Sequence, residues 1–160
     1  MNNTSPITKY GHDKVQEELN QLIRVDREEI KQAISEAREL GDLKENAEYH
    51  SAKEKQSILE GRISHLQGIL ATSQVVDIAS VVSDKIVFGA TVTLTDVEKD
   101  EEVKYQIVGD VESDINNGKV SFKSPLGRAL IGKEVGDTII VKAPKGDVEY
   151  EVESLEFVTA

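Results

Sequence analysis

Apolar and polar positions along the chain follow two different rhythms. From about Asp13 to Leu40 there is neither Gly nor Pro, and Glu, Gln, Arg, Leu and Ala, all good helix formers, dominate. Apolar or small residues recur at Val15, Leu19, Leu22, Ile30, Ala33, Ala37 and Leu40, with Asp26 filling the gap. Steps of three and four mark one face of a helix. A second run, from about Leu43 to Leu70, is more regular. Tyr49, Ala52, Gln56, Leu59, Ile63, Leu66 and Leu70 alternate steps of three and four, which is the seam of a coiled coil. Each run has about 28 residues and spans about 42 Å at the helical rise per residue. Between them Gly41 suits the left-handed position that ends a helix, and Asp42 can cap the next one. So short a link forces the two arms to lie antiparallel. Ala33, Ala37, Ala47 and Ala52 lie near the link, and Leu19, Leu22, Leu59, Ile63 and Leu66 lie away from it. The hairpin is therefore expected to narrow toward its tip, as a probe does.

After about Asp77 the period changes to two. Ala90, Val92 and Leu94 alternate with Thr91, Thr93 and Thr95, and Val103, Tyr105 and Ile107 alternate with Lys104 and Gln106. Asn116-Asn117-Gly118 is a turn signal, followed by Val120 and Phe122. Ser124-Pro125 opens a short helix, with Ser as N-cap and Pro at the first helical position, and Gly132 closes it. Ile139 and Val141, a turn at Pro144-Lys145-Gly146, then Val148, Tyr150 and Val152 read as a terminal hairpin. The fold class is α+β: a helical hairpin over residues 1–77, then a domain over 78–160 with a mainly antiparallel sheet and one short helix. Aromatic placement agrees, since only Tyr10 and Tyr49 precede residue 80, while Phe88, Tyr105, Phe122, Tyr150 and Phe157 follow it.

Charge narrows the function classes. Lys+Arg 19 against Asp+Glu 30 leaves −11 over 160 residues, which argues against direct binding to a phosphate backbone, and no direct, specific DNA readout is expected. There is no Cys, so disulfide scaffolds and cysteine–zinc sites are excluded, and His12, His50 and His65 are too scattered for a metal cluster. The first residues lack the apolar stretch of a signal peptide, and no run reaches membrane-spanning length. A cytoplasmic, reduced protein without a membrane partner is expected.

The chemistry is concentrated at the hairpin tip, in Gly41-Asp42-Leu43-Lys44-Glu45-Asn46-Ala47-Glu48-Tyr49-His50. Asp42 followed three residues later by Glu45 at a helix start reads as a capping box, favoured further by the helix dipole. The same two carboxylates, exposed at the end of a rod, can instead chelate a divalent cation. Mg²⁺ takes oxygen ligands, often one or two carboxylates completed by water and phosphate, so a partner must supply the rest. Both readings stand on spacing alone.

The run from Ile34 to Arg62 resembles the GreA family of bacterial transcript cleavage factors, as do the block Ile86 to Val92 and the block Ser124 to Lys133, extended by Val135-Gly136-Asp137. The resemblance covers nearly the whole chain, in order. It implies an N-terminal antiparallel coiled-coil hairpin and a C-terminal domain similar to FKBP, without implying prolyl isomerase activity. It further implies that the hairpin enters the secondary channel of bacterial RNA polymerase. There Asp42 and Glu45 would help to hold a second, shared Mg²⁺, and the nascent RNA 3′ end of a backtracked complex would be cut. Arg38 and Lys53, with Lys44 as a weaker candidate, would form a small basic spot facing that RNA, and Ser124 and Pro125 would grip the polymerase at the channel rim. On this view the chain is an accessory factor rather than an enzyme, binds no metal tightly alone and is a monomer.

Each of these residues has a plainer reading too. Arg38, Lys44 and Lys53 could be ordinary solvated helix charge paired with neighbours such as Glu48. Tyr49 continues the seam, His50 is simply exposed, and Ser124-Pro125 is a helix start. Within the superfamily, the net acidity and the intact Asp42-to-His50 run favour GreA over its more basic sister GreB. The unaltered tip acids argue against anti-cleavage relatives, and the arm length against shorter-armed nucleoside diphosphate kinase regulators. A chaperone-like module clasping another helix would have no need of Asp42 and Glu45. An autonomous metal hydrolase would need further ligands converging on the tip.

Overall fold

A computed structural model describes residues 4–158. In chain order it contains β1 (Ser5–Thr8), α1 (Lys9–Gln21), a π-helical turn (Leu22–Asp26), α2 (Arg27–Arg38), a 3-10 turn (Leu43–Glu45), α3 (Ala47–Thr72) and β2 (Ser73–Val76). There follow β3 (Thr91–Asp96), β4 (Glu101–Val108), β5 (Lys119–Ser121), α4 (Pro125–Leu130), β6 (Thr138–Ala143) and β7 (Gly146–Glu156), with short 3-10 turns between some of them. The α+β class and the helical hairpin ahead of a mainly antiparallel sheet are as the sequence predicts. The chain divides into two compact units: residues 12–72, and the residues on either side of that stretch.

In the helical unit every predicted seam position of α3 is turned inward. Ala52, Leu59, Ile63 and Leu66 are buried and Tyr49, Gln56 and Leu70 half-buried. The opposing arm is less regular because its seam holds one residue too many: Leu22 to Ile30 is eight positions where a heptad has seven. The π-helical turn absorbs that residue, with the Arg27 N–H donating to the carbonyl of Leu22, five positions back. Beyond it the seam continues through Ile34 and Ala37, both buried, while Ala33 and Leu40, which the sequence places in the stripe, are exposed. The antiparallel register is marked by two ion pairs, Arg62 with Glu18 and Arg27 with Glu60, each at 2.9 Å. At such exposure each contributes at most about 1 kcal/mol, so they select register more than they stabilise. Near the tip the small side chains leave an open groove of about 570 Å³, lined by Ala33, Ala37, Ala47 and Ala52 with Ile30 and Leu40.

The second unit takes in the segments before residue 12 and after residue 72. β1 pairs in parallel with β2, Ser5 opposite Ser73 through Thr8 opposite Val76, and Ile7 and Thr8 are buried. Both segments fall in one compact unit with the main sheet. The main sheet has the order β5-β4-β3-β7-β6. Its pairs are antiparallel except β4 with β5. Asn116-Asn117-Gly118 is a turn, as the sequence predicts, with Gly118 left-handed at φ 72°, and it ends the crossover between the parallel strands β4 and β5. The terminal hairpin is as predicted, Ala143 opposite Gly146 around Pro144-Lys145. Ile86, Ala90, Val92, Leu94, Ile107, Val120, Leu130, Ile139 and Val152 form the core, with Leu130 bringing α4 onto it.

One polar network stands out in this unit. The Thr8 hydroxyl oxygen accepts the N–H of Gly11 at 3.0 Å, an N-cap for α1. In a capping box the third helical residue would return a carboxylate to the N-cap, but here that residue is Gly11. Glu112, from the other end of the unit, fills the role. Its Oε2 accepts the N–H of Thr8 at 3.0 Å and of Gly109 at 2.8 Å, and its Oε1 accepts the Thr8 hydroxyl. A Cβ on Gly11 would lie 2.0 Å from Glu112 Oε1, so the glycine makes room for the borrowed carboxylate.

Candidate functional site

The tip is assembled where α2 runs out. The N–H groups of Glu39 and Leu40 bond back to the carbonyls of Glu36 and Ala37, at 3.2 and 3.1 Å, closing the last turn. Gly41 then takes φ +134°, a conformation that favours glycine, and reverses the chain. Asp42 is extended at φ −59°, ψ 123°, and its Oδ1 accepts the N–H of Lys44 at 3.0 Å, capping the three-residue turn that contains Glu45. The capping box suggested by the spacing does not form as such. Asp42 caps only this short turn, and Glu45 makes no side-chain hydrogen bond or ion pair among the described residues.

The cap of α3 belongs instead to Asn46, which the sequence reading passes over. Its Oδ1 accepts the N–H of Tyr49 at 3.0 Å, and its Nδ2 donates to the carbonyl of Ala37 in the other arm. His50 is likewise engaged: its Nε2 lies 2.9 Å from the carbonyl of Lys44, so that nitrogen carries the proton. The signal for Asn46 was present, because Asn is among the best N-caps, three residues before Tyr49. An unbroken helical reading from Leu43 concealed it.

Asp42 and Glu45 are both exposed. With one Asp42 oxygen committed to Lys44, the remaining Asp42 oxygen and both oxygens of Glu45 face outward chemistry. Among the described residues no three of His, Cys, Asp and Glu converge to hold a metal ion. Two carboxylates are fewer ligands than Mg²⁺ takes, so a cation held by them would draw its other oxygens from water or a partner. Arg38 ends α2 with its guanidinium 5.8 Å from the centre of the Tyr49 ring, a cation–π arrangement, and Tyr49 meets His50 edge-on at 5.6 Å. Lys53 lies farther along α3 and donates to Gln56 at 3.1 Å. No contact joins Arg38 to Lys53 among the described residues.

In the sheet unit Ser124 and Pro125 occupy the predicted helix start. The Ser124 hydroxyl oxygen accepts the Gly127 N–H at 3.1 Å and donates to the carbonyl of Ser121 at 2.7 Å, with Pro125 at the first position of α4. Beside them a cavity of about 580 Å³ is lined by apolar Val120, Pro125, Leu126 and Val141 and edged by Lys119 and Lys142. No helix among the described residues is long and apolar enough to cross a membrane.

The chain that forms the acid-tipped helical hairpin and the mainly antiparallel sheet matches two family models that define a class. Residues 5–75 match "Transcription elongation factor, N-terminal", and residues 80–157 match "Transcription elongation factor, GreA/GreB, C-term". The chain belongs to the GreA/GreB family of transcription elongation factors. Its sequence is 54% identical over 156 residues to the transcription elongation factor GreA of Xylella fastidiosa (strain 9a5c), covering 97% of this chain and 99% of that one. It is 49% identical over 153 residues to the GreA of Anaeromyxobacter sp. (strain K), covering 96% and 92%. Among solved structures it is similar to the GreA factor homolog 1 (Gfh1) protein of Thermus thermophilus, at 27% identity and a TM-score of 0.43, covering 96% of this chain and 99% of that one.

Proposed function

We propose that this chain is an accessory factor of bacterial RNA polymerase that passes its helical hairpin into the secondary channel. There it stimulates endonucleolytic cleavage of the nascent RNA 3′ end in backtracked complexes, so that arrested complexes restart. The observation that carries this reading is the division of labour at the tip. Asn46 caps α3, which leaves the outward oxygens of Asp42 and Glu45 without a partner among the described residues. Asp42 and Glu45 present carboxylate oxygens, and the polymerase and the RNA supply the other ligands. When bound, a second Mg²⁺ in such a shared site contributes water activation and stabilisation of the leaving oxygen.

The arm delivers these oxygens to a fixed point, which is what converts weak ligands into useful ones. Arg38 and Lys53 carry positive charge on the tip-proximal turns of α2 and α3, where an RNA 3′ segment would pass. Ser124 and Pro125 form the grip on the polymerase, supported by the apolar cavity beside them. DNA is met only through the polymerase, in keeping with the net charge of −11. The factor acts in the cytoplasm, as a monomer, without a tightly held metal.

The test uses Asp42→Asn and Glu45→Gln. Asn caps as well as Asp, so melting temperature and polymerase binding should stay near the parent values. Stimulated cleavage on a stalled, backtracked complex should fall on the order of a hundredfold, the size expected for losing one preorganised electrostatic contribution. Full stimulation by both variants would reduce the pair to a structural role.

A further inference from the structure

The tip acids are useful only if the turn that carries them is stiff, yet among the described residues neither acid is held by a salt bridge and only one hydrogen bond involves either side chain. Stiffness has to come from residues that do no chemistry. The strongest brace is Asn46, whose single amide spans both arms. Its Nδ2–H donates to the carbonyl of Ala37, which also accepts the Leu40 N–H in the closing turn of α2, and its Oδ1 accepts the Tyr49 N–H, one of the donors left over at the start of α3. Everything between Ala37 and Asn46, including Asp42 and Glu45, is thus a loop pinned at both ends by one planar group. His50 adds a second brace inside that loop by donating from Nε2 to the carbonyl of Lys44, the residue between the two acids.

An ordinary helix cap needs only the acceptor half of this arrangement. Ser, Asp and Asn serve about equally well as N-caps, but of these only Asn offers an amide N–H with the reach to meet a carbonyl of the facing arm while its oxygen caps. The donor half therefore has no role in starting α3, and it has a clear one in fixing the distance across the tip. We infer that Asn46, assisted by His50, is a positioning residue for the cleavage reaction, holding Asp42 and Glu45 in the geometry that ligation requires. This rests on the proposed role of those two acids.

The experiment separates the cap from the brace. Asn46→Ser keeps an N-cap and loses the donor to Ala37. The full-length variant is compared with the parent, and with Asp42→Asn, on a backtracked elongation complex. Three quantities are measured: the factor concentration for half-maximal cleavage, the rate at saturating factor, and the Mg²⁺ concentration for half-maximal rate. Amide hydrogen exchange over residues 42–46 of the free protein gives a readout independent of activity. Expected results are an unchanged half-maximal factor concentration, a saturating rate lower by about ten- to a hundredfold, a higher Mg²⁺ requirement and faster exchange confined to the tip.

An Asn46→Ser protein with the parent's saturating rate and Mg²⁺ curve overturns the inference. So does one whose only defect is a higher half-maximal factor concentration. If Asp42→Asn also retains full cleavage, the role of the acids falls first; if Asp42→Asn is inactive and Asn46→Ser is not, only the brace falls. Should Asn46→Ser melt the arm, His50→Ala removes the second brace without touching either helix cap and must show the same loss of rate at unchanged half-maximal concentration. A parental rate there refutes positioning as well.

Discussion

Replacing Glu112 by Ala removes a carboxylate that three donors share: the backbone N–H groups of Thr8 and Gly109, and the Thr8 hydroxyl. Thr8 is 2% exposed and Gly109 is buried, so water reaches these donors poorly once the side chain is gone. A buried donor left without a partner costs about 1–3 kcal/mol. Glu112 is itself half-buried, and solvent entering its vacated place relieves part of this, so about 2–4 kcal/mol is expected for the sheet unit. Glu112→Gln should cost only about 1 kcal/mol, because an amide oxygen can still accept both N–H groups and what is lost is charge assistance. The assay is urea unfolding followed by tyrosine fluorescence in a Tyr49→Phe background, which leaves Tyr10, Tyr105 and Tyr150, all in the sheet unit, as reporters. Gly11→Ala supplies the second arm of a cycle. Its methyl group would occupy the carboxylate's position, so alone it should cost nearly as much as losing Glu112, and in the Glu112→Ala background it should cost little more. A Glu112→Ala protein within about 0.5 kcal/mol of the parent, the range of an ordinary surface substitution, or simple additivity of the two changes, would refute the shared capping box.

Two further outcomes concern the sheet unit. The Tyr150 phenol titrates above its usual range because burial disfavours the phenolate, with the nearby Tyr105 and the cross-strand Asp96 adding to the effect. Since the folded pKa lies above the unfolded one, its contribution to stability is complete below about pH 10 and is lost as pH rises through the folded value; Tyr150→Phe should flatten that alkaline loss, and an unchanged alkaline profile would contradict it. Pro125→Ala leaves the Ser124 cap in place, so α4 should persist while the factor concentration for half-maximal cleavage rises by about fivefold or more, as for an interface contact worth over 1 kcal/mol; an unaltered concentration dependence would take Pro125 out of the interface.

What the sequence made legible follows the range of the interactions involved. The α3 seam could be read position by position, because burial of one helical face is a local periodic signal. Ser124-Pro125 was equally readable, since cap and first-turn proline act within four residues. The opposing arm was read only in part. Its eight-residue interval between Leu22 and Ile30 was visible as a gap at Asp26, but periodicity does not say how a surplus residue is absorbed, and the π-helical turn moves burial from Ala33 to Ile34. Asn116-Asn117-Gly118 was readable as a turn, but turn chemistry describes local backbone and is silent on strand order, so the parallel pairing of β4 with β5 was not. The β1–β2 ladder, pairing Ser5 with Ser73, and the Thr8–Glu112 contact join residues too distant for any pattern to connect. At the tip the acids were found and their brace was not. Asn46 lies inside a run without Gly or Pro, and only the structure shows that the chain there leaves one helix and begins another.

The spacing of Asp42 and Glu45 set structure and chemistry in competition, since a carboxylate busy with helix N–H groups is a poorer metal ligand. In the folded chain that conflict largely disappears. The demands of α3 are met by a neutral amide, the 3-10 turn takes one oxygen of Asp42, and Glu45 owes nothing to the fold. Neutrality matters here. A third carboxylate at position 46 would cap equally well, but would place another negative charge beside the pair and could give the free protein a metal site of its own. With an amide there, no third carboxylate converges on Asp42 and Glu45 among the described residues, and two are too few to hold Mg²⁺ firmly by themselves. In the proposed function that weakness is useful: the missing ligands come only from a complex in which RNA and polymerase are already in place, so the acids act where cleavage is required and are idle elsewhere.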